Sequence, residues 1–268
     1  METRWEYLTP PEFKKLTSEH KTCILPVGVL ERHGDHLPYG TDGLSIYAIT
    51  LAASRLEPCV VFPIYWFSQV HEAACFTGAI NFPMAMCLQM LETLLDQIAH
   101  NGFDKILIVN GHGGNGPFLD YFAVSQLDRK VNYTLYITDG WRGAQVVALK
   151  GIWESDGGGH ACERETSMMM AINPESVKME YQRFQEPINP NTDLSHLNGV
   201  RTALDWYAMY PEQVAGSPSK ATPEKGQKYF DACVTQVAER IKAVKADTVM
   251  PMLQKEFYAR CGQVPLGQ

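Results

Sequence analysis

The chain has 268 residues, 45% of them hydrophobic and 20% charged, and a formal net charge of −7. This composition is typical of a folded globular protein and excludes a largely disordered chain. The negative charge, with no basic stripe to offset it, argues against nucleic acid as a partner. Seven cysteines without a CxxC pair predict free thiols in a reducing compartment. The N-terminus is too polar for a signal peptide and no apolar run reaches about 18 residues, which predicts a cytoplasmic protein that does not cross a membrane.

Apolar runs and helical spacing alternate along the chain and predict one domain over residues 1–268. In chain order, the predicted elements are strand 23–29, helix 44–56, strand 60–65, helix 84–100, strand 105–109, a helix from about Pro117, strand 131–138, helix 163–170 and a last helix from its N-cap Thr222 to Ala246. Apolar strands that alternate with helices predict a three-layer α/β/α sandwich with a mostly parallel central sheet. Ligands of such sheets gather at the carboxyl ends of the strands. Residues 157–159 are predicted to be a flexible glycine stretch, and residues 173–219 to be rich in loops.

The segment from residue 30 to residue 42 is dense in possible metal ligands. It reads Leu-Glu-Arg-His-Gly-Asp-His-Leu-Pro-Tyr-Gly-Thr-Asp and directly follows the first predicted strand. Glu31 and His33 stand two residues apart, and a turn rich in glycine and proline can return Asp42 toward them. Carboxylate and imidazole groups together suit zinc, manganese or iron. The segment therefore predicts part of a metal site.

Two later segments offer the same kinds of side chain. His112 lies in Asn-Gly-His-Gly-Gly-Asn-Gly-Pro, at the end of the third predicted strand, and His160 and Glu165 lie where a helix begins. Glycines flank His33, His112 and His160, which lets the backbone approach a ligand closely. A single histidine more often has a structural role, but ligand-type residues in four separate places predict one shared site.

These motifs resemble those of the creatininase (creatinine amidohydrolase) family of metal-dependent hydrolases. The resemblance rests on Leu25-Pro26-Val27-Gly28, Glu31-x-His33-Gly34-x-His36-Leu37-Pro38 with Thr41-Asp42, Asn110-Gly111-His112-Gly113-Gly114-Asn115, His160 with Glu165-Thr166-Ser167, and weakly Ser219-Lys220-Ala221 with Lys225-Gly226. The motifs follow one another in the family's order between residues 25 and 226.

The resemblance implies a role for each motif residue. The residues that match metal ligands are Glu31, His33, Asp42, His112 and Glu165, with Asp42 in the position that bridges two ions. His160 matches the catalytic histidine, which would carry a proton from the attacking water to the leaving nitrogen. Glu163 is a candidate base or supporting group, or a solvated carboxylate at a helix start. The resemblance also implies one or two divalent ions (zinc, manganese or iron) and a homo-oligomer such as a hexamer, with residues 173–219 as a contact region.

The chain departs from creatininase at Gly113 and Gly114, where that enzyme has a tyrosine and a glutamate that also serves its metal site. One metal position is therefore expected to lack an anionic ligand. The part of the substrate pocket that the tyrosine lines in creatininase is also expected to differ. We predict a hydrolase of a non-peptide carbon–nitrogen bond in a small cyclic amide or formamide, rather than a creatininase. Ser68, His71 and Trp141 are candidates for the substrate pocket, or for packing alone.

Two alternative functions also agree with parts of the sequence. Gly111-x-Gly113-x-x-Gly116 satisfies the dinucleotide fingerprint between a strand and a helix, and Asp139 follows at the distance of a ribose-binding acid. An NAD-dependent dehydrogenase would, however, leave Glu31 and the other ligand-type residues unexplained. The second alternative is a non-catalytic relative that binds metal.

Overall fold

The computed structural model describes residues 2–143, 146, 148–155, 159–184 and 192–262. Over these residues, four parallel strands form one sheet in the order β2-β1-β3-β4. The strands are β1 (Thr22–Val27), β2 (Val60–Val61), β3 (Lys105–Asn110) and β4 (Thr134–Asp139). The helices are α1 (Pro10–Glu19), α2 (Thr41–Leu56), α3 (Met84–His100), α4 (Asn115–Ser125), α5 (Glu163–Ile172), α6 (Asp205–Met209), α7 (Pro223–Ala246) and α8 (Val249–Cys261).

Helices cover both faces of the sheet, which confirms the predicted three-layer α/β/α sandwich. Ile106 and Ile108 of β3 point into a core shared with α3 and α4. Leu107 and Val109 point to the opposite face, into a core shared with α2 and α7. Because successive side chains of a strand point to opposite faces, a strand covered on both sides needs apolar residues throughout. This explains the uninterrupted apolar runs.

The carboxyl ends of three strands meet at one edge of the sheet. Val27 at the end of β1 lies opposite Asn110 of β3, and Asn110 lies opposite Asp139 of β4. The segment that carries Glu31 follows β1, and the segment that carries His112 follows β3. The strand register therefore places both predicted ligand segments at the same edge.

Several boundaries differ from the predictions. α2 begins at Thr41 rather than at residue 44, because Leu44 N already donates to Gly40 O at 2.8 Å. β2 ends at Val61, and Pro63 follows shortly after it, where the ring leaves no N–H for a ladder. β4 begins at Thr134 rather than at residue 131, and α4 begins at Asn115. The Thr222 N-cap is confirmed, since its side chain accepts a hydrogen bond from Lys225 N.

The remaining predictions about the chain have varied outcomes. Residues 157 and 158 of the glycine stretch lie outside the described residues. The described parts of 173–219 contain only short helical turns and α6, as expected for a loop-rich segment. Each of the seven cysteines is a free thiol, as predicted. In the part of the chain that the structure describes, no helix is both long and apolar enough to cross a lipid bilayer.

Candidate metal centre

The loop after β1 folds back on itself and gathers three predicted ligands. A Cβ on Gly28 would lie 2.4 Å from Gly43 Cα, so only glycine lets the end of β1 pack against the start of α2. Gly34 adopts a φ of +59°, in the left-handed region that favours glycine. Glu31 N donates to Tyr39 O at 3.0 Å and closes the loop. These contacts return Asp42, in the first turn of α2, to Glu31 and His33.

Asp42 lies between two histidines and offers one carboxylate oxygen to each. Its Oδ1 lies 3.2 Å from His33 Nε2, and its Oδ2 lies 3.0 Å from His112 Nδ1. Glu31 Oε2 is 3.1 Å from the same nitrogen of His112. Glu165 Oε2 lies 3.9 Å from His33 Nε2. Asp42 is therefore the shared member of two clusters, which is the arrangement required of a bridging ligand.

Three groups of side chains in the described residues have ligand atoms within 4.8 Å of one another. They are Glu31, Asp42 and His112; His33, Asp42 and Glu165; and Glu31, His33 and His160. All five predicted metal ligands belong to the first two groups, which share Asp42. The structure thus brings together every residue that the sequence assigned to the metal, from three separate segments of the chain.

The site carries an excess of buried negative charge. Burial alone would lower the pKa of His33, but the nearby Asp42 carboxylate outweighs it and raises this pKa to about 10. Burial would raise the pKa of Asp42, but the charge of His33 and hydrogen bonds from both histidines hold it well below its usual range. The pKa of His112 is also raised, because Glu31 and Asp42 outweigh its burial. The site therefore favours bound cations, either protons or metal ions.

The donor set fits a divalent cation. Glu31 Oε2 is buried and lacks a hydrogen-bond partner within the described structure, although it lies beside His112. A buried carboxylate oxygen without a donor is costly unless a cation compensates it. His33 Nδ1 lies 3.1 Å from Glu31 O, so a proton held there leaves Nε2 available to a metal. Carboxylate and imidazole donors in this arrangement suit zinc, manganese or iron.

A strained turn positions His160 and Glu165. Ala161, between His160 and the start of α5, has a φ of +52°, which is unusual for a residue other than glycine. Its N–H donates to Glu165 Oε2 at 2.6 Å. His160 exchanges two backbone hydrogen bonds with Ala215. The turn thus holds the His160 ring and the Glu165 carboxylate on the same side of the helix start.

The His160 ring lies at the border of the ligand cluster. It packs against the His33 ring at a tilt of 32°, with 4.0 Å between ring centroids, and Trp206 contacts it edge-on at 5.7 Å. Its Nε2 lies 2.8 Å from Arg32 O and 3.8 Å from Glu31 Oε1. The geometry therefore places the His160 imidazole directly beside the predicted metal ligands, and its catalytic role stays a prediction.

Glu163, the other predicted catalytic residue, has different neighbours. Its carboxylate is buried, lies 2.5 Å from Lys225 Nζ and accepts hydrogen bonds from Ser155 N and Oγ at 2.8 and 2.7 Å. It belongs to none of the three ligand groups. Burial would raise the pKa of Glu163, but the Lys225 hydrogen bond and those from Ser155 lower it by more. These contacts give Glu163 a structural role, in which it anchors the start of α5 to α7.

Replacing Lys225 by methionine is expected to lower the free energy of unfolding by about 3 kcal/mol, because Glu163 would stay buried without its cation. The folded-state pKa of Glu163 is lowered, so its contribution is complete at neutral pH and disappears as the pH falls through that pKa. Urea unfolding at pH 7 and at low pH tests both parts. Lys228→Met, at an exposed position of the same helix, is the control. Equal stability of the two variants at pH 7 would contradict the expectation.

The three candidate pocket residues lie in different surroundings. Ser68 is buried, and its hydroxyl donates to Asn115 Oδ1 at 2.7 Å, which ties its loop to α4. His71 is exposed, with Nδ1 3.2 Å from Gln69 Oε1. Trp141 lines a cavity of about 60 Å³ together with Asp42 and Glu165. Their part in substrate binding stays a prediction, and Trp141 has the most direct connection to the ligand cluster.

Glu72 is a member of the site that the sequence analysis missed. Its Oε1 lies 3.2 Å from His112 Nε2, on the side of the ring opposite Asp42. Burial would raise its pKa, but hydrogen bonding to His112 lowers it by more. Glu72 follows His71 directly on the loop after β2, where no regular spacing marks it. The two glycines after His112 are the only sequence signal that space was left beside that ring.

The clustered carboxylates and histidines form a candidate metal centre at the carboxyl end of a parallel α/β sheet. The family model for creatininase (creatinine amidohydrolase) matches residues 6–241, and the chain belongs to that family. This confirms the resemblance found in the sequence motifs. The members of the family are hydrolases.

Curated relatives carry several different names. The mycofactocin precursor peptide peptidase of Mycolicibacterium smegmatis is 28% identical over 241 residues, which cover 87% of this chain and 90% of the relative. The 3-dehydro-scyllo-inosose hydrolase of Thermotoga maritima is 24% identical, with 89% and 86% covered. The creatinine amidohydrolase of Pseudomonas putida is 23% identical, with 82% and 88% covered. The names agree on hydrolysis and differ in substrate.

Solved structures share the fold. A crystal structure of creatinine amidohydrolase has a TM-score of 0.74 at 21% identity and covers 92% of this chain and 99% of its own. Two further creatininase structures, each with a TM-score of 0.73 at 20% identity, are described with manganese and as the zinc–zinc type of a variant. At these identities the likeness demonstrates the fold.

The contacts of the glycine-rich turn do not favour a dinucleotide. His112 fills the turn with a buried ring that faces Asp42 and Glu31. Asp139 accepts a hydrogen bond from Asn110 Nδ2 at 3.0 Å and forms an ion pair with Arg142 at 3.2 Å. The turn and Asp139 thus belong to networks that a pyrophosphate and a ribose would have to displace.

Proposed function

We propose that this protein is a metal-dependent hydrolase that cleaves a non-peptide carbon–nitrogen bond in a small cyclic amide or formamide. The observation that carries the proposal is the position of Asp42, which offers one oxygen to His33 and the other to His112. Zinc, manganese or iron, when bound, makes water a nucleophile at neutral pH and polarises a carbonyl oxygen.

Each side chain has a distinct part in this proposal. One or two ions would be held by Glu31, His33, Asp42, His112 and Glu165. His160 would accept a proton from the attacking water and deliver it to the leaving nitrogen. The Nε2 atom of His160 lies 2.8 Å from the Arg32 carbonyl oxygen and 3.8 Å from Glu31 Oε1, so the ring lies within reach of a water molecule at the ligand cluster.

The burial of the site supports a small substrate. The side chains of His33, His112 and Asp42 are at most 6% exposed, whereas that of Glu165 is 29% exposed. Solvent therefore reaches the cluster mainly from the side of Glu165. Sites for small molecules are typically concave and bury most of the ligand's surface.

Hydrolysis assays of the metal-free and the reconstituted protein test the proposal. We expect Mn²⁺ or Zn²⁺ to restore turnover of at least one lactam, cyclic urea or formamide, and Glu165→Gln to abolish it. Short peptides are assayed as a second set of substrates, since one relative is named a peptidase. Cleavage of peptides alone would overturn the non-peptide assignment. Bound metal without turnover of either set of substrates would favour the non-catalytic alternative.

A further inference from the structure

The His112 ring has acidic neighbours on both of its nitrogens. Nδ1 lies 3.0 Å from Asp42 Oδ2 and 3.1 Å from Glu31 Oε2, whereas Nε2 lies 3.2 Å from Glu72 Oε1. A neutral imidazole carries one proton, so only one nitrogen can offer a lone pair to a cation. The nitrogen that faces two predicted ligands is Nδ1. Nε2 is then the nitrogen that must carry the proton.

We propose that Glu72 is a positioning residue. Its carboxylate accepts a hydrogen bond from the Nε2–H group of His112, which leaves the Nδ1 lone pair available to the metal. This inference rests on the metal centre proposed above. His33 obeys the same rule with the opposite nitrogens, since its Nδ1 faces Glu31 O and its Nε2 faces the site. Metal-binding histidines in general give their second N–H to a carboxylate or carbonyl, which fixes both tautomer and ring orientation.

The Glu72 carboxylate is held in place by its own neighbours. Its side chain is 16% exposed, and Gln69 Nε2 donates to its two oxygens at 3.2 and 2.9 Å. The same amide nitrogen lies 3.0 Å from Gly114 O. Gln213 Nε2 also lies 3.3 Å from the Glu72 carbonyl oxygen. The acceptor is therefore fixed beside the ring rather than free to swing into solvent.

Gly114 provides the space for this carboxylate. A Cβ at position 114 would lie 1.9 Å from Glu72 Oε1 and 2.5 Å from His112 Nε2. The φ of Gly114 is −64°, which any residue can adopt, so the requirement for glycine is steric. Position 114 was expected to leave the site one anionic group short. The space at Gly114 is occupied by the Glu72 carboxylate, which contacts His112 Nε2 and belongs to none of the described ligand groups.

Metal affinity, measured with Mn²⁺ alone on metal-free protein by competition with a chromophoric chelator, tests the inference. We expect Glu72→Ala to weaken binding by about 10- to 100-fold. The Mn²⁺ affinity of Glu72→Gln should stay within about fivefold of wild type. Its amide oxygen can still accept the hydrogen bond from His112 Nε2–H, although a neutral acceptor is weaker. Gly114→Ala should weaken binding, since its Cβ takes the place of the carboxylate. Gly113→Ala is the matched control, because a Cβ there meets nothing within 4 Å.

The outcomes separate this inference from the proposed function. If wild-type protein binds no Mn²⁺, the proposed metal centre itself fails. If wild type binds Mn²⁺ and Glu72→Ala binds it equally well, only the role of Glu72 is overturned. If Glu72→Gln loses as much affinity as Glu72→Ala, an acceptor for the His112 Nε2–H bond is not sufficient, and the positioning role is wrong. In zinc-loaded protein, NMR should also detect a His112 Nε2 proton that exchanges slowly in wild type and rapidly in Glu72→Ala.

Discussion

Asp42→Asn is expected to remove metal from both positions and to slow hydrolysis by three or more powers of ten, since bound metal contributes several kcal/mol to the transition state. Asp42 is the only residue common to the two ligand groups that contain all five predicted ligands in the described structure. Asparagine keeps the volume but loses the charge and one of the two acceptor oxygens. Isothermal titration with Mn²⁺ and single-turnover kinetics measure the two effects.

Asp35→Asn is the matched control for this variant. Asp35 lies in the same loop, but its carboxylate binds Arg32 at 2.9 Å and Arg183 at 3.1 Å. It belongs to none of the described ligand groups. We expect this control to retain metal. An Asp42→Asn protein that still held as much metal as the control would show that Asp42 does not join two metal positions.

His160→Gln is expected to retain metal and to lower kcat by about 10²- to 10⁴-fold, which is the usual contribution of a general acid or base. The reason is the position of the ring, which packs against His33 and lies 3.8 Å from Glu31 Oε1. Both quantities, the bound metal per chain and kcat, are measured on the same preparation of the variant. His100→Gln is the control, because that exposed residue ends α3 at the opposite edge of the sheet.

His160 also belongs to a third possible ligand group, together with Glu31 and His33, so the metal content of His160→Gln distinguishes two roles for this residue. If His160→Gln loses metal in parallel with activity, His160 is a ligand rather than the proton-transfer group. If it keeps both metal and full activity, the proton passes through another residue. Only retained metal with a reduced kcat agrees with the proposed role.

The sequence predicted those parts of the molecule that depend on local pattern. Helix 84–100 was predicted with its observed bounds, because its apolar spacing is regular and Asn101-Gly102 follows it. The core strand β3 was predicted almost completely, since both of its faces are buried. The five candidate ligands could be named because dense motifs and the family resemblance marked them. Their convergence on Asp42 required the parallel register of β1 and β3.

Contacts between distant segments could not be predicted in this way. Glu72 and His112 stand 40 residues apart, and the loop that carries Glu72 has no periodic pattern. Glu163 was predicted to be a base, a supporting group or a solvated carboxylate, but it is buried and its carboxylate forms an ion pair with Lys225. In both cases a side chain of distant sequence position determines what the carboxylate does.

The central claim is that this protein holds divalent metal between Asp42 and its two histidines. The most direct test is elemental analysis of protein purified without chelators. The proposed centre predicts about one to two equivalents of zinc, manganese or iron per chain, and a loss of most of that metal in Asp42→Asn. Less than about half an equivalent in wild type, unchanged by Asp42→Asn, would contradict it.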